Sequence, residues 1–186
     1  MFLWERDIVI IMHEKQSSKC DIYVESKITK KTCHFVERQY ELLGLIHTHL
    51  ADLKQTMSRG GKNYFVTFVD DFSRYTKVYL VKHKNEAFGM FLTYKAEVEN
   101  QMNKKIKRIR SNRGCEYVLF NDYCVKECII HEVIPLYSPK SNGVGERKNK
   151  TLKEMMNAML INSNAFDNLW GESLLTACFF AKYDTI

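Results

Sequence analysis

Three residues far apart in the chain are of types that do chemistry when brought together: His49, Asn112 and Glu146. The carboxylate of Glu146 is a hard oxygen ligand of the kind a cation such as Mg²⁺ requires. The imidazole of His49 suits softer metals such as zinc. Asn112 follows Arg108-Ile109-Arg110-Ser111, which reads as a strand end, and precedes Arg113-Gly114, which reads as a turn. A phosphoryl-transfer site often carries an Asp at such a tip to hold a metal ion. The amide supplies a carbonyl oxygen without charge.

Basic residues surround these positions. Glu146, Asn149, Lys150 and Lys153 recur at helical spacing and share one helix face. Such a face either meets phosphates or is an ordinary solvated surface. Lys104, Lys105, Lys107, Arg108, Arg110 and Arg113 form a second basic run. Alternation along a strand divides that run between two faces, so it makes no single patch.

The elements must carry the three residues to one place. ELLGLIHTHLADL (41–53) reads as a buried strand with His47 and His49 near its end. Gly60-Gly61 marks a turn, because glycine reaches positive φ cheaply. YFVTFVDDFSR and RYTKVYLVKH then read as a hairpin joined near Asp71 and Ser73, with Asp70 and Asp71 shaping its turn. NEAFGMFLTYKAEVENQM (85–102) shifts to a helical period, with Asn85 as its N-cap. KKIKRIRS (104–111) is a strand, EYVLFNDYCVKEC (116–128) a helix and IIHEVIP (129–135) a strand. GVGERKNKTLKEMMNAMLINS (143–163) carries an apolar stripe from Leu152 to Leu160, and LWGESLLTACFFAKY (169–183) is a final buried helix. This order predicts an α/β domain, a five-stranded mixed sheet flanked by helices. Ligands gather at strand ends in such sheets, and His49, Asn112 and Glu146 are expected to meet there. Asp52 lies at an odd offset from His49, so it is expected on the opposite strand face.

Composition fits this picture. The 45% hydrophobic share of 186 residues supports a packed core and excludes a disordered chain. An excess of 28 Lys and Arg over 22 Asp and Glu gives +6, which permits an anionic partner such as nucleic acid without demanding one. The six cysteines form no Cys-x-x-Cys pair and read as reduced thiols, consistent with nucleus or cytoplasm. The run MFLWERDIVIIMHEK is interrupted by Glu5, Arg6 and Asp7. It is too short for a membrane span and wrongly charged for a signal peptide, so no membrane partner is expected.

Several ordered stretches resemble one family. GGKNYFVTFVDDFSRYTKVYLVKHKNEAF, KKIKRIRSNRGCEY, YSPKSNGVGERKNKTLKEMMNAML and LWGESLLTAC look like the integrase catalytic core of copia-type LTR retrotransposons. The likeness runs from about Glu41 to Cys178 and implies a ribonuclease-H-like fold. The family uses three carboxylates to hold two Mg²⁺ ions for DNA strand transfer. One ion activates water or a 3′-hydroxyl, and the other stabilises the leaving oxygen. The family's His-Thr-Asp-Leu stands here as His47-Thr48-His49-Leu50. Its Arg-Ser-Asp-x-Gly-Gly-Glu-Tyr stands as Arg110-Ser111-Asn112-Arg113-Gly114-Cys115-Glu116-Tyr117. Glu146 matches the third carboxylate, so His49 and Asn112 mark the positions of lost Asp ligands.

From this resemblance follow several expectations. Mg²⁺ is the ancestral cofactor and is not expected to bind here. DNA is the expected partner, non-specifically, through Asn142, Lys148, Lys150 and Lys153, with Tyr137 and Ser138 beside the DNA end. A homo-oligomer is in keeping with the family. Residues 1–40 read as a degenerate zinc-like segment, because Tyr23 replaces the second Cys of the family's motif after Cys20. Residues 41–183 read as the core, truncated before the C-terminal integrase region. The family usually has Gly at 115 and 128, so Cys115 and Cys128 are expected to strain their turns. The expected function is an integrase-core-like domain that has lost catalysis. The alternatives are a residual nucleic-acid-binding module and a translated relic without function.

Overall fold

The sheet begins with a hairpin whose turn is held by one carboxylate. In a computed structural model, which describes residues 39–53, 56–114, 117–134 and 143–181, β1 (Ile46–Asp52), β2 (Tyr64–Asp70) and β3 (Thr76–Val81) pair antiparallel in sequence order. Between β2 and β3, Asp70 Oδ2 accepts from the Ser73 N–H at 2.8 Å and from the Ser73 hydroxyl at 2.6 Å. That carboxylate holds the chain while Arg74 passes through φ 61°. Asp70 and Asp71 also reach back to the segment before β1. They accept from the backbone N–H groups of Leu43 at 3.0 Å and Gln39 at 3.1 Å, and Asp71 bonds buried His47 at 3.1 Å.

β4 (Arg108–Ser111) joins β1 in parallel, and β5 (Ile130–Val133) joins β4 in parallel. The order is β3-β2-β1-β4-β5, the mixed five-stranded sheet that the sequence predicts. Parallel neighbours require long crossovers, and helices supply them. α1 (Ala87–Met102) links β3 to β4, and α2 (Val118–Lys126) links β4 to β5. α3 (Gly143–Asn162) and α4 (Trp170–Phe180) complete the chain.

Strand alternation divides the interior in two. Ile46, Val66, Phe68 and Ile109 pack with Phe91, Tyr94 and Val98 of α1 and with Phe120 and Cys124 of α2. Ring stacking tightens this layer, with Phe68 at 4.9 Å from Tyr94 and Phe91 at 5.1 Å from Phe120. Ala51, Phe65 and Val78 point the other way, against Leu152 and Met156 of α3 and Leu174 and Ala177 of α4. Each large apolar side chain so buried contributes about 1.5–3 kcal/mol. A methyl at Gly171 would stand 2.9 Å from Leu80, so glycine lets α4 approach β3 closely.

Some boundaries differ from expectation. β4 starts at Arg108, because Glu99 anchors the preceding connection through the Ile106 N–H at 2.9 Å. Asn85 lies inside a short 3₁₀ turn and caps nothing; the Glu86 carboxylate instead accepts from the His83 N–H at 3.0 Å. The expected segment 1–40 falls outside the described residues up to residue 38, and with it Cys20 and Tyr23. No helix among the described residues is long and apolar enough to cross a membrane.

Candidate functional site

The parallel pairing of β1 and β4 sets the level of the site. His47 stands opposite Arg110, so two residues further along, His49 in the middle of β1 comes level with Asn112, just past the end of β4. From there the two side chains part. His49 lines a cavity of about 350 Å³ with Glu146, Asn149, Lys150, Lys153 and Glu154 of α3. Asn112 lines a different cavity, of about 300 Å³, beside α2 and His131. The structure therefore brings His49 and Glu146 together and places Asn112 next door. Asp52 belongs to a third cavity, with Met156, Leu160 and Trp170.

Within the His49 cavity the shortest polar contact joins strand to helix. Asn149, only 4% exposed, places Nδ2 at 2.9 Å from His49 Nδ1. Burial pushes the His49 pKa down, the nearby Glu146 carboxylate pulls it up, and the Lys153 cation pushes it down again, with a net lowering. The imidazole is thus neutral at neutral pH. It accepts at Nδ1 and carries its proton on Nε2. Asn149 Oδ1 is buried with no hydrogen-bond partner among the described residues. The pairing of Asn149 with His49 was not foreseen. The sequence signal was present, because Asn149 shares a helix face with Glu146, but the spacing could not say which strand residue it meets.

The basic residues differ in availability. Lys150 is exposed and lies 3.8 Å from Glu154, a loose pair. Lys153 Nζ sits 5.8 Å from the centre of the Phe65 ring. Lys148 points away from the cavity and donates to the Ala181 carbonyl at 3.4 Å, where a cation favours the C-terminal end of α4. Lys148, one of the residues expected to meet nucleic acid, is thus engaged at Ala181. Asn142, Tyr137 and Ser138 lie outside the described residues. Four residues of the second basic run form internal pairs: Lys105 with Glu99, Lys107 with Glu41, and Arg108 and Arg110 with Glu132. No group of three or more His, Cys, Asp or Glu side chains among the described residues is placed to hold a metal ion.

No family model matches the chain. Curated proteins do. The chain is 39% identical over 145 residues to the retrovirus-related Pol polyprotein from transposon TNT 1-94 of Nicotiana tabacum, covering 77% of this chain and 11% of that protein. It is 33% identical over 116 residues to the corresponding polyprotein from transposon RE2 of Arabidopsis thaliana, covering 62% of this chain and 8% of that one. The chain thus spans about a tenth of these relatives' length. Among solved structures, it is similar to the HTLV-2 integrase catalytic core domain in complex with magnesium, trimeric form. The TM-score is 0.56 at 18% identity, over 76% of this chain and 86% of that one. It is also similar to the simian T-cell lymphotropic virus intasome in complex with PP2A regulatory subunit B56 gamma. There the TM-score is 0.60 at 21% identity, over 76% of this chain and 50% of that one. The shared architecture is ribonuclease-H-like.

Proposed function

Because the chain belongs to the retrovirus-related Pol polyproteins of copia-type transposons, over the part folded as an integrase catalytic core, we propose that it descends from a metal-dependent DNA strand-transfer domain whose metal chemistry is dismantled here. The donor set around His49 carries this reading. The HTLV-2 core is a complex with magnesium. A cation of that kind needs several oxygen ligands in a tight shell.

The cavity offers two carboxylates, Glu146 and Glu154, both on α3. They are eight residues apart, about 12 Å along the helix axis, too far to share one ion. The sheet contributes an imidazole whose Nδ1 is already engaged by Asn149. Lys150 and Lys153 add positive charge in the same cavity, which repels a cation. These residues do not fit a pair of Mg²⁺ ions.

What remains suits phosphate. Lys150 and Lys153 line the cavity that holds His49 and Glu146. Non-specific binding of the DNA backbone is the part of the ancestral activity this surface supports. Self-association belongs to the same proposal, since one HTLV-2 core is described as trimeric and another as dimeric.

The test is a strand-transfer assay with the purified chain, a DNA end and Mg²⁺ or Mn²⁺. The expected result is no product in either metal, with DNA retained. Metal-dependent product would overturn the proposal.

A further inference from the structure

Cations collect at one end of the sheet with little to neutralise them among the described residues. β2 starts at Tyr64, β3 ends at its partner Val81, and the Asn63 N–H donates to the Val81 carbonyl at 3.2 Å. The turn from Ser58 to Lys62, closed by the Ser58 N–H on the Lys62 carbonyl at 2.9 Å, therefore stands beside Lys82, His83 and Lys84. Lys82 and Lys84 are exposed and form no ion pair among the described residues.

The carboxylate of Glu86 lies among them and is already in use. Its Oε1 accepts from the His83 N–H at 3.0 Å and its Oε2 from the Lys82 N–H at 3.3 Å. The Lys62 ammonium approaches it only to 3.9 Å. Asp52, level with Tyr64 on β1, lines the separate cavity that contains Trp170. Cations elsewhere on this side of the fold are matched closely. Lys77 of β3 meets Glu97 at 2.6 Å, and Lys95 and Lys105 both meet Glu99 at 3.0 Å.

This group adjoins the Lys150–Lys153 face. Lys153 Nζ sits 5.8 Å from the centre of the Phe65 ring, and Lys84 Nζ sits 5.5 Å from the centre of the Tyr64 ring. Tyr64 and Phe65 are successive strand residues, so they point to opposite faces of the sheet. Phe65 packs with α3 and Tyr64 with the α1 layer. The two ammonium groups thus flank the start of β2, one on each face, with Lys82 just past the neighbouring strand end.

We propose that Lys62, Lys82 and Lys84 form a second phosphate-binding surface, over which a single strand of nucleic acid continues after leaving the Lys150–Lys153 face. The proposal rests on the backbone-binding reading above. Lysine ammonium groups act as point charges, so they hold phosphate without reading sequence. A flexible single strand can pass round the strand ends from one sheet face to the other. A duplex is too stiff to bend so sharply without a large cost.

The full chain would be titrated with fluorescent oligothymidine, and with a duplex of the same length, across a salt series in EDTA. Lys82→Gln with Lys84→Gln changes two exposed side chains. It should reduce the single-strand salt slope by about 1.4, for two phosphate contacts, and leave the duplex slope as it was. Lys150→Glu with Lys153→Glu should lower both slopes. A parental single-strand slope in the Lys82, Lys84 variant would overturn the second surface, and weakened binding in the Lys150, Lys153 variant would then keep the backbone reading alone. An equal fall in both slopes would overturn the assignment to single strands. No binding by the parent chain would overturn both readings. Lysine acylation read by mass spectrometry gives a separate readout. Oligothymidine should protect Lys82 and Lys84 and leave Lys126, an exposed lysine of α2, reactive. Equal protection of all three, or of none, would overturn the proposal.

Discussion

Asn149 of α3 and His49 of β1, a hundred positions apart in the chain, meet at 2.9 Å and close the floor of the His49 cavity. The contact joins helix to sheet and fixes the imidazole proton on the outward nitrogen. Removing the amide leaves a buried ring nitrogen without its donor. Asn149→Ala should cost about 1–3 kcal/mol of stability, read by denaturant unfolding. An unchanged midpoint would show that the contact contributes nothing.

Restoring charge should restore metal affinity. The double variant His49→Asp with Asn112→Asp places carboxylates at two level positions, on β1 and just past the end of neighbouring β4. Calorimetry with Mn²⁺ should detect binding in the variant and none in the parent chain. Silence in both would mean that Asn112, lining its separate cavity, is aimed away from any shared ion.

Backbone binding should depend on two lysines. Lys150→Glu with Lys153→Glu should weaken all DNA sequences alike and reduce the salt slope by about two. Lys148→Glu should do much less, because that side chain is engaged at Ala181. An equal effect from Lys148 would sink the assignment of the face.

Strain at one turn should be removable. Cys128 sits at φ 57°, where a side chain is disfavoured and glycine is not. Cys128→Gly should stabilise the fold by about 1 kcal/mol, measured as a shift in unfolding midpoint. A loss of stability would indicate that the Cys128 side chain contributes more by its contacts than its backbone costs.

Stability should fall as pH drops below about 6.5, the ordinary value for both His49 and His131, whose folded pKa values are lowered. Below that pH the unfolded chain takes up protons that the folded state refuses, so unfolding is favoured. Above it both states are neutral at these rings and the effect is absent. Unfolding midpoints at pH 7.5 and 5.5 measure it. His49→Gln with His131→Gln should flatten the difference, and an unchanged difference would assign it to other groups.

The element order was legible in the sequence because periodicity and turn chemistry are local. The alternation through Phe65 and Phe68 and the helical stripe from Leu152 to Met156 each appear in the structure as the two faces of the core. The Asp70–Ser73 turn was equally local. Element ends were less legible, since Glu99 and Glu86 reset two boundaries through contacts that no propensity encodes.

The sequence by itself determined the fold and the family, because motif order and residue type need no coordinates. Tertiary structure alone decided the rest. It placed Asn112 and His49 in separate cavities, turned Lys148 to α4, and set Asn149 against His49. It also buried His131 Nδ1 without a hydrogen-bond partner among the described residues. Each of these depends on side-chain direction across elements that strand pairing and helix packing bring together, and spacing along a single chain does not contain that direction.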